Sequence, residues 1–112
     1  MKKIILAWLL VTAAAGCEKS KTPLPECVEE KILDFQSMEK KNPAAEIWEY
    51  DYHGQKVYFI SEYCCDIPSL VIDANCNTVC SPSGGLAGTG DGNCSRFFEE
   101  AQSGKQIWKD NR

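Results

Sequence analysis

A chain of 112 residues carrying 16 acidic and 12 basic side chains, a formal charge of −4 and seven cysteines has room for one small domain. Its acidic balance and scattered lysines exclude a phosphate-binding surface, which needs clustered Lys and Arg, so nucleic acid is not an expected partner. So many cysteines in so short a chain point to an oxidising compartment, where each disulfide adds roughly 2 to 4 kcal/mol to a modest core.

The first 16 residues carry Lys2-Lys3, then Ile4-Ile5-Leu6-Ala7-Trp8-Leu9-Leu10-Val11, then Ala13-Ala14-Ala15-Gly16. A basic start, an apolar run too short to span a bilayer and a small-residue cleavage site read as an export signal. Cys17 directly after Ala-Ala-Gly resembles the bacterial lipoprotein signal, in which that thiol receives a diacylglycerol and becomes the new N-terminus. Ala14 stands where such signals usually carry leucine. The competing reading, an ordinary secreted chain cut near Ala15-Gly16, leaves Cys17 as an odd thiol. The expected layout is a signal peptide at 1–16, a lipid-anchored tether at 17–26 and a single disulfide-rich domain at 27–112. Removing Lys2 and Lys3 leaves ten basic against 16 acidic side chains, a formal −6. Several acyl chains on Cys17 hold a protein to a bilayer without any basic patch.

Residues 18–26, with Pro23 and Pro25 among polar neighbours, have little to bury; extended, they reach about 30 Å. From Cys27, Val28, Ile32, Phe35 and Met38 recur at helical spacing. Pro25 suits the first turn of this predicted helix and Asn42-Pro43 its end. Residues 47–60 predict a β-hairpin turning at His53-Gly54, with Ile47 opposite Ile60, Trp48 opposite Phe59, Glu49 opposite Tyr58, Tyr50 opposite Val57 and Asp51 opposite Lys56. Trp48, Tyr50, Val57 and Phe59 then share a face, which is expected to cover the helix. A second hairpin is predicted from Leu70–Asp73 and Thr78–Cys80. Ser81–Asn93, with five glycines, is the longest irregular segment. A short helix is expected from Ser95, with Phe97 and Ala101 on one face and Gly104 as its stop. Lys105–Lys109 closes the chain as an edge strand with Trp108 turned inward. The fold class is α+β: an N-terminal helix on an antiparallel sheet of about four or five strands, with a short C-terminal helix, stapled by disulfides.

Six cysteines remain in the mature chain: Cys27, Cys64, Cys65, Cys76, Cys80 and Cys94. Neighbours in an extended chain point to opposite faces, so Cys64 and Cys65 take different partners. Continued alternation puts Cys65 on the face of Val57 and Phe59, which predicts a Cys27–Cys65 bridge. A four-thiolate metal site from Cys64, Cys65, Cys76 and Cys80 would need reduced thiols and lacks paired Cys-x-x-Cys ligands. Thiol-disulfide catalysis lacks the same motif at a helix start.

Asp73-Ala74-Asn75-Cys76-Asn77 opens like a calcium loop, but Thr78 and Gly84 stand where such a loop needs glycine and glutamate. The segment Gly84, Gly85, Gly88, Gly90, Asp91, Gly92 lacks the Gly-Lys-Ser/Thr ending and the cation of a phosphate cradle. Asp91 is expected to anchor it through nearby backbone N–H groups, the rival role being a weak cation site. His53, the one histidine, sits at a turn expected to be solvated, and no nucleophile motif accompanies it. Glu99 and Glu100 read as a solvated helix face.

Taken in order, Val57-Tyr58-Phe59-Ile60, Cys64-Cys65-Asp66, Asp73 with Asn75-Cys76-Asn77, Cys80 with Pro82 and Gly84-Gly85, Gly88 with Gly90-Asp91-Gly92 and Cys94, and Ile107-Trp108-Lys109 with Arg112 resemble a family of small lipoproteins of Gram-negative bacteria classified only as a domain of unknown function. Ser83 and Ser95 depart from its pattern, where aspartate and proline are usual. The resemblance implies an exported, cysteine-stapled domain and brings no activity, catalytic residue or cofactor. The expectation is therefore a non-enzymatic binding or accessory module of the cell envelope, held at the outer membrane. Its only cofactor-like group would be the lipid on Cys17, its partner an envelope protein or a glycan, and Gly84–Asn93 its contact region. The alternative is a thiol-redox or metal-binding protein using the cysteine cluster.

Overall fold

The computed structural model describes residues 23–61 and 67–112; Cys17, Cys64 and Cys65 lie outside them. Helix α1 spans Glu26–Gln36 and buries Val28 and Phe35, two turns apart on one face. Pro25 is its N-cap, one residue before the first turn, and its carbonyl accepts N–H bonds from Val28 and Glu29 at 3.0 and 3.2 Å. Glu26 and Glu29 in the first turn complement the helix dipole. The helix stops well short of Asn42-Pro43, so Met38 lies beyond its end and is exposed. The stop comes from the other end of the chain: the Arg112 guanidinium donates to the Phe35 and Gln36 carbonyls at 3.0 and 3.1 Å, filling acceptors that a longer helix would use itself.

Strands β1 (Glu46–Tyr52), β2 (Gln55–Ser61), β3 (Leu70–Asp73), β4 (Thr78–Cys80) and β5 (Gln102–Lys109) form an antiparallel sheet in the order β4-β3-β2-β1-β5. The first hairpin has the expected register, from Ile47 opposite Ile60 to Asp51 opposite Lys56. The second hairpin also has the predicted strands and turn, and the Asp73 carboxylate accepts the Asn75 and Asn77 N–H bonds at 2.9 Å each. These bonds hold the Asp73 carboxyl below the usual range, the Asn77 bond contributing most. The expectation of an α+β domain with one N-terminal helix, five antiparallel strands and a short C-terminal helix is met.

Both faces of the sheet are covered. Val28 and Phe35 of α1 pack on Ile47, Tyr58, Ile60 and Ile72. Trp48, Tyr50, Tyr52, Val57, Phe59 and Val71 face the other way and pack on Phe97, Cys80 and Cys94. The expectation that the aromatic face of the hairpin covers α1 is not met; α1 takes the opposite face. A continuous run such as Val57-Tyr58-Phe59-Ile60 fills the core on both sides of a strand, and β2 is buried from Val57 to Ser61.

The C-terminal region differs from expectation in extent. Helix α2 is only Phe97–Glu100, and its Phe97 is fully buried. Gly104 does not end this helix but lies inside β5, where a Cβ would stand 2.6 Å from Cε1 of Tyr50. Two irregularities bend β5 against β1. One brings the consecutive residues Ile107 and Trp108 to the α1 side, where Trp108 stacks on Phe35 with centroids 5.7 Å apart.

Candidate functional site

The glycine-rich loop is built outward from the sheet. Cys80 ends β4 and Cys94 precedes α2; their disulfide is buried on the Phe97 side of the sheet and closes the loop at its base. Inside this ring the backbone is tied twice. Ser69 and Ser83 exchange bonds, Ser69 N–H to the Ser83 carbonyl at 2.9 Å and Ser83 N–H to Ser69 Oγ at 3.1 Å. The Ser81 hydroxyl donates to the Ser69 carbonyl.

Asp91 supplies the second tie. Its Oδ2 accepts Ser81 N–H at 3.1 Å, its Oδ1 accepts Asn93 N–H at 2.9 Å, and its own N–H donates to the Ser81 carbonyl at 2.9 Å. Both oxygens thus serve the anchoring role expected from sequence. These bonds, led by that from Asn93, hold the carboxyl below its usual range.

Two glycines are required by space as well as by dihedral. At Gly90, with φ of 71°, a Cβ would collide with the Ser81 carbonyl oxygen. At Gly84, with φ of 89°, it would lie 2.8 Å from the Ile67 carbonyl oxygen and from Pro68 Cα. Gly85, Gly88 and Gly92 face open space. The loop projects one large apolar side chain: Leu86 is 90% exposed. Sequence reasoning named the glycines and Asp91, which shape the loop, and missed Leu86, which the loop presents. Its signal was a lone large apolar residue within a run of glycines.

A groove of about 950 Å³ lies on the α1 side of the sheet. Pro23, Pro25 and Glu29 form one wall, Ala74 of the β3–β4 turn another, and Glu49, Lys56 and Tyr58 the floor. Lys56 Nζ lies 3.2 Å from Asp51 and 3.7 Å from Glu49; the bond to Asp51, then the two negative charges, push its pKa up. Burial, then Glu49, raises that of the Tyr58 phenol.

His53 is not simply solvated: its Nε2 is 2.8 Å from Glu100 Oε1 and its ring stacks on Tyr52 at 3.9 Å. Glu99 and Glu100 both meet Arg96, at 2.8 and 3.9 Å from its Nε, and Glu100 also meets His53.

The cysteines correct two expectations. Cys27 is bridged to Cys76, not to Cys65, because α1 sits on the sheet face opposite the one on which continued alternation places Cys65. Cys76 reaches α1 from the β3–β4 turn with φ of 69°. Cys76 and Cys80, offered as two ligands of one metal site, each belong to a different disulfide. No group of three or more metal-ligating side chains occurs among the described residues. No helix there is long and apolar enough to cross a membrane.

Fold and loop together define a disulfide-stapled α+β domain that displays a braced glycine-rich loop. Residues 34–110 match the family described as Domain of unknown function (DUF6970), and the chain belongs to that family. No curated protein and no solved structure matches the chain.

Proposed function

We propose that this chain is an exported lipoprotein, acylated at Cys17 and held at the outer membrane. Its domain is a non-enzymatic module that binds an envelope protein through the Gly84–Asn93 loop. The observation that carries the reading is Leu86, 90% exposed on a backbone fixed by a disulfide, Asp91 and the Ser69–Ser83 exchange. A loop fixed before binding loses little conformational entropy on contact, and a projecting leucine suits an apolar pocket on a protein. A glycan is the weaker candidate, since sugar faces are met by flat aromatic and planar polar groups rather than by an isolated aliphatic tip.

The test is a photoreactive side chain at position 86 in intact cells, followed by identification of what it captures. A protein adduct that persists when the unmodified Leu86→Ser chain is used as competitor, but is competed away by the wild type, supports the reading. Absence of any adduct, or equal competition by both chains, overturns it. Radiolabelled lipid that incorporates into the wild type and not into Cys17→Ser tests the anchor. For the module itself, free thiols approaching six per chain, or stoichiometric zinc, would return the cysteines to chemistry.

A further inference from the structure

The two disulfides among the described residues stand in unlike surroundings. Cys80 and Cys94 are buried against Phe97 and the sheet, so a reagent reaches them only after the loop or the core opens. Cys76 is exposed at the β3–β4 turn and Cys27 is half-buried in the first turn of α1. The bridge between them joins two walls of the groove, the helix start that carries Glu29 and the turn that carries Ala74.

We propose that Cys27–Cys76 is a thiol-exchange site, a clasp that an external dithiol opens while Cys80–Cys94 stays closed. A thiolate of the dithiol attacks Sγ of the exposed residue Cys76; the new S–S bond forms as the Cys27–Cys76 bond breaks, and Cys27 leaves as a thiolate. That charge develops in the first turn of α1, which favours an anion, although Glu26 and Glu29 in the same turn oppose it. The second thiolate of the reagent then attacks its own sulfur in the mixed disulfide and releases Cys76. The dithiol is oxidised to a disulfide, the protein gains two electrons, and both cysteine thiolates take protons from water. The Cys27 N–H, which lies 3.3 Å from Cys76 Sγ, is placed to donate to the released sulfur.

Opening has a local consequence. The far end of α1 stays fixed by Phe35 and Arg112, whereas the near end keeps only Val28 as a fully buried contact. The helix start therefore loosens and the groove widens on that side, leaving the glycine-rich loop unchanged.

The oxidised full chain, treated with dithiothreitol without denaturant, quenched with iodoacetamide at intervals and fragmented for mass analysis, yields a labelling rate for every cysteine. Cys27 and Cys76 should label together, roughly ten times faster or more than Cys80 and Cys94. Hydrogen exchange of the partly reduced protein should rise at residues 28–33 and stay low in the first hairpin. Equal labelling of the two bridges, no labelling of Cys27 and Cys76 until denaturant is added, or unchanged exchange at residues 28–33 would each overturn the clasp.

Discussion

Gly90 shows how one absent Cβ shapes the loop. Alanine there meets the Ser81 carbonyl in a left-handed conformation, so Gly90→Ala is expected to cost about 2 to 4 kcal/mol of stability, against about 1 kcal/mol for Gly85→Ala, where space is open and only the dihedral resists. Urea denaturation of the two variants measures the difference. Asp73, Asp91 and Asp110 share a second residue-scale feature. Each carboxyl is held below its usual range, Asp73 and Asp91 by backbone N–H bonds and Asp110 by Arg112 at 2.7 Å. A carboxylate with a depressed folded pKa contributes stability that is present above its unfolded value near 4 and is lost as the pH falls through the folded value. Denaturation midpoints should therefore fall below about pH 4, and the fall should be shallower in Asp91→Asn than in the wild type, though from a lower neutral-pH plateau. The anchoring role of Asp91 was legible in the sequence because its bonds are local. The Asp110–Arg112 clamp was not, since the carbonyls that Arg112 caps lie on α1.

At the scale of elements, a helix of four residues does what propensity alone would not support. Phe97 is fully buried and contacts Tyr50 edge-on at 5.3 Å, with Tyr52 at 4.9 Å and Phe59 at 6.0 Å. Truncating it should cost about 3 to 5 kcal/mol, comparable to Phe35→Ala on the opposite face. The adjacent Phe98, 54% exposed, should cost about 1 kcal/mol or less. Thermal and chemical unfolding of the three variants checks the order; a mild Phe97→Ala would mean that the second face is not a packed core. The hairpin register could be read because pairing parity and a two-residue turn determine it. Which hairpin face received α1 could not, since both faces offer apolar side chains, Trp48, Tyr50, Val57 and Phe59 on one and Ile47, Tyr58 and Ile60 on the other. Gly104 was misread for a related reason: glycine after a helical segment resembles a stop, and only the ring of Tyr50 across the strand explains it here.

At the scale of the whole molecule, the two disulfides among the described residues bind layers that a small core would hold weakly. Cys27–Cys76 ties α1 to the β3–β4 turn, and Cys80–Cys94 ties the glycine-rich loop to the sheet. Peptide mapping without reduction should recover both pairs. Replacing Cys80 and Cys94 together by serine should lower stability by about 3 kcal/mol, the loop-closure value for this separation. The sequence by itself determined the two hairpins and their turns, the start of α1 and the separation of loop from core, because periodicity and turn chemistry act over a few residues. The number of cysteines also led to the expectation of disulfides, and Cys27–Cys76 and Cys80–Cys94 are present among the described residues. Tertiary structure alone decided which face α1 covers, which cysteine meets Cys27, where α1 ends and which side chain the glycine loop exposes. Each depends on groups dozens of residues apart meeting at the sheet, and local patterns carry no record of such meetings.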